Sequence, residues 1–332
     1  MTTTISMTMT TATTTTMMMT MTISSMRLCA LRATSSILSR PRRGPLRAYS
    51  SHEDPSRRKV VIVTGANRGI GKAMCDLILK DDSVAPLTLY ATSRAGGDVG
   101  LAPRRRDQTV LCPRLDVADA ASVAALAAQV RRAGEPVDVL INNAGVNLDA
   151  AFSLENARAT LDTNYRGTLE MCLAFLPLLR NDAGRIVNMS SVGSSLKTWG
   201  PELAARVRRI DTLGDVEALV QSYLAHVQAG TDVEAGFPAR RSYSVSKAAV
   251  NLLTKILAAQ HPDATINCCC PGWIDTSMGS LINNGKTRPP KTPEQGARIP
   301  LRLAFGDVKG ISGAYWANDS VRSKEDGKPQ DW

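Results

Sequence analysis

Short apolar runs alternate with amphipathic segments along most of this chain, from residue 59 onwards. The first run, Val60–Val63, is β-branched throughout and has no polar alternation, as in a central strand buried on both faces of a parallel sheet. A glycine-rich turn separates this run from a helical segment, Ile70–Lys80. Because the unit repeats, the pattern predicts an α/β fold with a single doubly wound parallel sheet of the Rossmann type.

The same periodicity predicts the remaining strands and long helices. The strands are predicted at Ala85–Arg94, Thr109–Asp116, Val137–Ile141, Gly184–Ser191, Ala264–Trp273 and, weakly, Gly313–Ala317. The helices are predicted at Ala118–Arg132, Leu154–Leu179 and Tyr243–Ala259. A polar tail up to Trp332 follows the last strand.

A long interval lies between the fifth strand and the helix that starts at Tyr243. Two segments within it, Pro201–Ile210 and Leu213–Ala229, have helical periodicity. We therefore expect one domain over residues 58–332, with a helical insertion at about residues 195–238 that precedes Tyr243.

Residues 1–57 differ in composition from the rest of the chain. Residues 1–25 are almost wholly Thr, Met, Ser and Ile, and we expect this low-complexity stretch to be disordered. Residues 26–49 carry arginine and serine but no acid, which is typical of an organellar transit peptide. We predict import into the mitochondrial matrix with cleavage after Tyr49. The alternatives are a plastid, a misassigned start codon or, without a transit peptide, a cytoplasmic location. Met26 could be the true start, since a presequence that begins there would look more ordinary.

Composition narrows the possible partners. The formal net charge is +10, but the first 49 residues hold six arginines and no acid, so the remainder is only mildly basic. This excludes a strong nucleic-acid binder, and no apolar run is long enough for a membrane span. The seven cysteines form no C-x-x-C pair, which favours a reducing compartment. We expect no metal site, and we expect Cys75, Cys112 and Cys172 to be small buried residues.

The turn after the first strand is a candidate phosphate site. Gly65, Gly69 and Gly71 have the spacing G-x-x-x-G-x-G and lead directly into a helix. Free backbone N–H groups and the positive end of the helix dipole would converge there, which suits a pyrophosphate. We expect a side chain at Gly65 or Gly69 to fill space that the phosphates need.

The second and third strands end in residues that discriminate between dinucleotides. An acid at the end of the second strand would favour NAD, whereas Arg94 stands there and Arg68 lies in the glycine turn. Both cations favour the 2′-phosphate of NADPH. Asp116, after the third strand, is placed to accept a hydrogen bond from the adenine amino group.

Several polar residues fall where parallel strands end, which is the edge at which such sheets bind ligands. The fourth strand ends in Asn142-Asn143-Ala144-Gly145, and the fifth ends at Ser191. Tyr243 and Lys247 are four residues apart on a helix and therefore share one face. Asn164 lies inside a predicted helix, where an asparagine either faces solvent or serves a buried site.

Taken in order, these motifs resemble the short-chain dehydrogenase/reductase superfamily over about residues 58–332. The matching positions are Thr64-Gly65-x-x-x-Gly69-x-Gly71, Asn142 to Gly145, Asn164, Ser191, Tyr243-x-x-x-Lys247 and Pro271-Gly272. Within it the chain is more closely similar to the monomeric NADPH-dependent carbonyl reductases. That similarity rests on the segment before Tyr243, the Cys-Cys-Pro-Gly-Trp run at 269–273 and the terminal Asp-Trp.

The resemblance implies a role for each motif residue. Tyr243 would be the general acid, Lys247 the ribose-binding residue that lowers its pKa, Ser191 the donor to the carbonyl, and Asn164 the anchor of a proton-relay water. The implied cofactor contacts are Gly65, Asn67, Arg68, Gly69, Ile70, Gly71, Arg94, Asp116, Asn143, Ala144, Gly145, Tyr243, Lys247, Pro271, Gly272, Ile274 and Thr276. Asp275 departs from the pattern, because relatives tend to carry a base there.

The resemblance also implies an activity: NADPH-dependent reduction of aldehydes, ketones or quinones to alcohols. The alternatives are an NADP-linked alcohol dehydrogenase working in the oxidative direction and a non-catalytic NADPH-binding sensor or subunit. We expect a monomer, because the insertion would cover the helices through which relatives pair. Trp199 and Trp273 are candidate walls for a bulky carbonyl substrate, although Trp199 could equally pack under a helix. One of Cys268, Cys269 and Cys270 could be redox-sensitive.

Overall fold

The structure is a computed structural model that describes residues 57–84, 86–181 and 183–332. The predictions for residues 1–56, which include the disordered stretch, the transit peptide and cleavage after Tyr49, lie outside these ranges. Within the ranges, no helix combines the length and the apolar character that crossing a membrane requires.

In the described part of the chain, eight strands form one sheet. They are β1 Lys59–Val63, β2 Leu87–Ala91, β3 Gln108–Leu111, β4 Val139–Asn142, β5 Arg185–Met189, β6 Thr265–Cys269, β7 Tyr315–Ala317 and β8 Lys328–Gln330. Across the sheet the order is β3-β2-β1-β4-β5-β6-β7-β8, and only the β7–β8 pair is antiparallel. The predicted doubly wound parallel sheet is therefore confirmed.

The strand order reverses between β1 and β4, which are neighbours in the centre of the sheet. Val61, Ile62 and Val63 of β1 are completely buried, because helices cover both faces of the sheet at this point. A reversal of this kind leaves a crevice at the carboxyl ends of the two strands, where doubly wound sheets bind ligands. The glycine turn after β1 lies at that crevice.

The helices form a layer on each face of the sheet. They are α1 Gly69–Lys80, α2 Ala120–Ala133, α3 Leu154–Leu161, α4 Gly167–Phe175, α5 Pro201–Arg208, α6 Leu213–Ala229, α7 Ser242–Gln260 and α8 Pro293–Phe305. The core on one face is built with α1 and α8. The core on the other face is built with α2, α3, α4 and α7, and the insertion adds α5 and α6 to it.

The predicted helical insertion is confirmed. Helix α6 packs on α7 and α3 through an apolar face that includes Val216, Val220 and Tyr223. Trp199 is buried in the same core, with its ring centroid 5.6 Å from that of Phe237. The prediction of Trp199 as a substrate wall is therefore wrong, and the alternative that it packs under a helix holds.

Several elements differ from the sequence prediction. The second and third strands end at Ala91 and Leu111 rather than at Arg94 and Asp116. The predicted helix Leu154–Leu179 ends at Phe175 and is interrupted by a π turn at Asp162–Arg166. The sixth strand ends at Cys269 rather than Trp273, since the proline at 271 cannot donate to the ladder. The polar tail contains β8, which pairs with β7 through its backbone although its side chains are mostly exposed.

Helix α8 is a further element that the sequence prediction missed. It begins with a capping box in which Thr292 and Gln295 satisfy each other's backbone N–H groups. This signal is legible in the sequence. Pro300, inside the helix, and the mixed polarity of the segment obscured it.

Candidate active site

The residues predicted to be catalytic come together at the carboxyl edge of the sheet. Asn164 lies in the π turn, Ser191 precedes a 3₁₀ turn after β5, and Tyr243 and Lys247 lie in the first turns of α7. The Ser191 hydroxyl lies close enough to the Tyr243 phenol to lower the pKa of that phenol. The Lys247 Nζ atom lies 5.6 Å from the centroid of the Tyr243 ring.

Asn164 is completely buried and connects the loop after β4 to α7. Its Oδ1 atom accepts from the Val146 backbone N–H and its Nδ2 group donates to the Val146 carbonyl, both at 2.8 Å. Nδ2 also donates to Ser246 Oγ at 3.0 Å. Of the two alternatives weighed for this asparagine, the buried one holds. The π turn turns the side chain inwards, and such irregularities are frequent at functional sites.

Lys247 is a buried cation, only 5% exposed. Its ammonium group donates to the Met189 carbonyl at the end of β5, at 2.7 Å. Burial lowers the Lys247 pKa to about 8, because desolvation disfavours the charged amine. Lys247 is therefore still mostly protonated at neutral pH.

Tyr243 is a proton donor at neutral pH. Burial raises its pKa to about 12, and the nearby Ser191 hydroxyl opposes that rise. Ser191 Oγ also accepts from the Gly193 backbone N–H at 3.1 Å, which fixes the hydroxyl at the end of β5. The phenol and the serine hydroxyl can thus both point at one acceptor atom.

The glycine turn is locked onto the end of β4 through the main chain. Thr64 Oγ1 accepts from the backbone N–H groups of Asn143 and Ala144, each at 2.9 Å. The Asn143 side chain donates to the carbonyls of Thr64 and Gly65 at 2.8 and 3.2 Å. These contacts tie the end of β1 to the end of β4.

Two of the three glycines have left-handed backbone conformations: φ is +65° at Gly65 and +54° at Gly69. The tightest position is Gly71, where a Cβ atom would lie 2.2 Å from the Gly65 carbonyl oxygen. A Cβ at Gly65 would approach the Ala144 Cα at 3.0 Å. Close main-chain packing therefore excludes side chains here before any phosphate is considered.

The start of α1 can accept an anion. Its N-cap residue, Arg68, has extended backbone and makes no side-chain cap, so the side chains of the turn leave the first N–H groups available. Asn67 and Arg68 are exposed beside it, whereas Ile70 packs against the core. The residues thus fit a dinucleotide whose pyrophosphate lies at this helix start.

The adenine end of the site holds a cation that sequence reasoning missed. Arg94 is exposed after β2, as predicted. Arg114 lies beside it, because the Ser93 and Arg114 backbones pair and Arg114 Nε donates to the Arg94 carbonyl at 3.2 Å. Asp116 is half-buried, and one of its oxygens accepts from the Ala118 N–H at 3.0 Å. Only strand pairing reveals the Arg94–Arg114 proximity.

The loop after β6 covers the site from the other side. Gly272 is left-handed with φ +94°, and Thr276 reaches the glycine turn, where its Cγ2 would lie 3.2 Å from a Cβ at Gly69. The Ile274 side chain packs beside Gly296, so it can offer only backbone to a cofactor. Lys291, 1% exposed, fixes this loop by donating to the Pro271 carbonyl at 2.8 Å. Sequence reasoning missed this lysine.

The departures from the family pattern have structural explanations. Asp275 pairs with Arg288 at 2.8 Å in the same loop. Cys268, Cys269 and Cys270 are all buried, so none of them has the exposed thiol that was considered for a redox-sensitive residue. Cys75 and Cys172 are buried as predicted, whereas Cys112 is half-buried.

A cavity of about 80 Å³ opens beside Ser191. It is lined by Val192, Cys270, Gly272 and the segment from Ala317 to Val321. Gly145 faces the site from β4, since a Cβ there would lie 3.1 Å from Asn164 Oδ1 and 3.7 Å from Lys247 Nζ. Trp273 is buried outside this lining, with its Nε1 donating to the Gly279 carbonyl at 2.9 Å.

Known proteins are similar to this chain in sequence and in architecture. The family profile described as short chain dehydrogenase matches residues 59–200, and the one described as enoyl-(acyl carrier protein) reductase matches residues 224–316. Carbonyl reductase (NADPH) 1 of Oryctolagus cuniculus is 33% identical over 80% of this chain and 99% of that protein.

Solved structures agree. Salutaridine reductase from Papaver somniferum matches with a TM-score of 0.68 and 26% identity, covering 79% of this chain and 100% of the other. Menthone neomenthol reductase from Mentha piperita matches with a TM-score of 0.64 and 28% identity, covering 78% and 98%.

Proposed function

This chain belongs to the short-chain dehydrogenase/reductase family, and from that premise we propose that it reduces aldehydes, ketones or quinones to alcohols with NADPH. The observation that carries the proposal is the arrangement of Ser191, Tyr243 and Lys247. The Ser191 hydroxyl, at the end of β5, lowers the pKa of the nearby Tyr243 phenol, and the buried Lys247 ammonium group lies 5.6 Å from the centroid of the phenol ring.

In this proposal the Ser191 and Tyr243 hydroxyls both donate to the substrate carbonyl oxygen. NADPH, when bound, supplies the hydride. As negative charge develops on the oxygen, Tyr243 transfers its proton to it and Ser191 holds it in place. The Lys247 ammonium then stabilises the phenolate that remains, because opposite charges close together in a dry site attract strongly.

Asn164 would hold a relay water through its backbone carbonyl. Both polar groups of its side chain are occupied by Val146 and Ser246. Its carbonyl already accepts from Thr168 Oγ1 at 2.8 Å, and a carbonyl oxygen has two lone pairs. The Asn164 side chain therefore fixes the loop after β4 against α7, and the Asn164 backbone carbonyl would bind the water.

NADPH rather than NADH is proposed because of the cations around the end of β2. Arg68, Arg94 and Arg114 have exposed side chains that could neutralise a 2′-phosphate. The turn at the end of β2, Ala91-Thr92-Ser93-Arg94, contains no acid that would prefer the 2′-hydroxyl of NADH.

The test is loss of NADPH absorbance by the full chain with a panel of quinones, aldehydes and ketones. Tyr243→Phe should bind NADPH normally and lose roughly a thousandfold in kcat, within the range of general acid catalysis. Tyr90→Phe is the matched control, because Tyr90 is a buried tyrosine of β2 away from the site. Tight NADPH binding without reduction of any carbonyl would favour the sensor alternative, and alcohol oxidation with NADP alone would favour the oxidative one.

Monomeric state and mitochondrial location are part of the same proposal. Helix α6 packs on α3 and α7, so the insertion occupies a helix face through which relatives would pair. A stable tetramer in sedimentation would exclude a monomer. A cytosolic signal from residues 1–60 fused to a fluorescent reporter would exclude mitochondrial import.

A further inference from the structure

The loop after β4 carries an acid that contacts the start of the catalytic helix. Asp149 opens a 3₁₀ turn, Asp149–Ala151, and is half-buried. Its carboxylate accepts a hydrogen bond from the Ser242 hydroxyl, and it accepts from the Tyr243 backbone N–H at 3.2 Å (Oδ2) and 3.3 Å (Oδ1). The acid therefore meets α7 at the residue proposed to donate the proton.

These contacts replace a cap that the local sequence lacks. The N-cap residue of α7 is Arg241, whose side chain makes no capping hydrogen bond. Exposed N–H groups at a helix start need an acceptor, and a carboxylate from outside the helix provides one here. A second contact joins the loop after β4 to the segment before α7, because the Arg240 guanidinium lies 5.5 Å from the centroid of the Phe152 ring.

The position also has an electrostatic consequence. The N-terminus of α7 carries the positive end of the helix dipole, which alone would favour the phenolate form of Tyr243. A carboxylate at that end opposes the dipole. We propose that Asp149 is a positioning residue that fixes the first turn of α7 and keeps Tyr243 in its proton-donating form, an inference that rests on the proposed reductase function.

The surrounding groups are consistent with this assignment. Burial is the main cause that raises the Tyr243 pKa; the Ser191 hydroxyl lowers it, and Cys270 and then Asp149 add smaller upward effects. Around Asp149 itself lie Arg241, Ser242 and Tyr223 of α6. Burial raises the Asp149 pKa above its ordinary value, and the hydrogen bonds from Ser242 and Tyr243 and the nearby Arg241 oppose only part of that rise.

Two substitutions separate charge from capping. Asp149→Asn removes the charge and keeps an acceptor, whereas Asp149→Ala removes both. Asp119→Asn is the matched control, because Asp119 caps α2 through the Ala121 N–H at 3.0 Å and is exposed far along the chain from Tyr243. Thermal unfolding establishes that each variant is folded.

Two readouts test the proposal. The first is the pH profile of kcat, whose basic limb should move down by roughly one pH unit in both Asp149 variants and stay in place in Asp119→Asn. Asp149→Ala should also lose about tenfold in kcat with NADPH affinity little changed. The second is the ultraviolet titration of the Tyr243 phenol in the NADP complex, taken as the difference between each variant and its Tyr243→Phe counterpart.

The titration keeps the two proposals distinguishable. If no carbonyl is reduced but the phenol titrates lower in Asp149→Asn, the reductase function fails and the placement of Asp149 stands. If wild type reduces carbonyls and Asp149→Asn shows neither a shifted profile nor a shifted titration, the proposal for Asp149 is overturned.

Discussion

The glycine turn and the start of α7 face the same crevice, but different kinds of contact hold them. At the turn, the Gly65 carbonyl lies so close to the start of α1 that Gly71 has no room for a Cβ atom. At α7, buried side chains from distant segments meet, among them Asn164, Lys247 and Asp149. Close backbone packing stabilises the fold. Buried polar groups lower its stability, and at α7 they surround the residue that is proposed to transfer the proton.

The largest effect is expected from a substitution in the glycine turn. Gly71→Ala places a methyl group 2.2 Å from the Gly65 carbonyl oxygen, so β1 and α1 must move apart. We expect the free energy of unfolding to fall by about 3 kcal/mol, as for severe overpacking, and NADPH binding to be lost. Chemical denaturation followed by circular dichroism measures the first, and fluorescence titration the second.

Gly214→Ala is the matched control for that substitution. A Cβ at Gly214 would have only Thr212 Oγ1 within reach, at 3.8 Å, and the residue lies in the first turn of α6. Alanine should therefore stabilise slightly, by about 0.5 kcal/mol. Equal losses in both variants would mean that crowding at Gly71 is not the cause.

The same contrast explains what the sequence predicted. The turn from Gly65 to Gly71 is contiguous, so its glycine spacing revealed strand, turn and helix together. Asp149 and Arg114 act through partners that are distant along the chain or adjacent only after strands pair, and no local pattern marks them. The π turn at Asn164 is likewise invisible to helical periodicity, which expects the helix to continue.

Lys247→Met, at the start of α7, should raise the free energy of unfolding, whereas Gly71→Ala should lower it. The folded-state pKa of Lys247 is lowered to about 8 from its usual 10.5, so the unfolded chain holds this proton more tightly. The cost of the buried charge is therefore fully present below pH 8 and declines as pH rises towards 10.5. We expect Lys247→Met to raise stability by about 1 kcal/mol at pH 7 and to lower kcat at least a hundredfold.

Urea denaturation at pH 7 and pH 10 measures the stability difference between Lys247→Met and wild type. The gain should shrink at the higher pH, where wild-type Lys247 has lost its proton. A gain that is the same at both pH values, or a loss at pH 7, would contradict a destabilising buried charge. Lys255→Met, on the exposed side of the same helix, should show no such pH dependence.

The smallest expected effect tests the edge of the first region, where side chains rather than main chain would meet the cofactor. Arg114 donates to the Arg94 carbonyl, so its guanidinium both orients Arg94 and adds positive charge beside it. We expect Arg114→Gln to weaken NADPH binding about tenfold and to leave NADH binding nearly unchanged, because only NADPH carries the 2′-phosphate. Fluorescence titration with 2′,5′-ADP and with 5′-ADP measures the contribution of that phosphate to binding.

Arg104→Gln, at an exposed arginine of the loop between β2 and β3, is the control. If Arg114→Gln weakens the binding of both ligands equally, Arg114 stabilises the ends of β2 and β3 rather than binding the phosphate. Its role would then be structural, like that of the close backbone packing at Gly71.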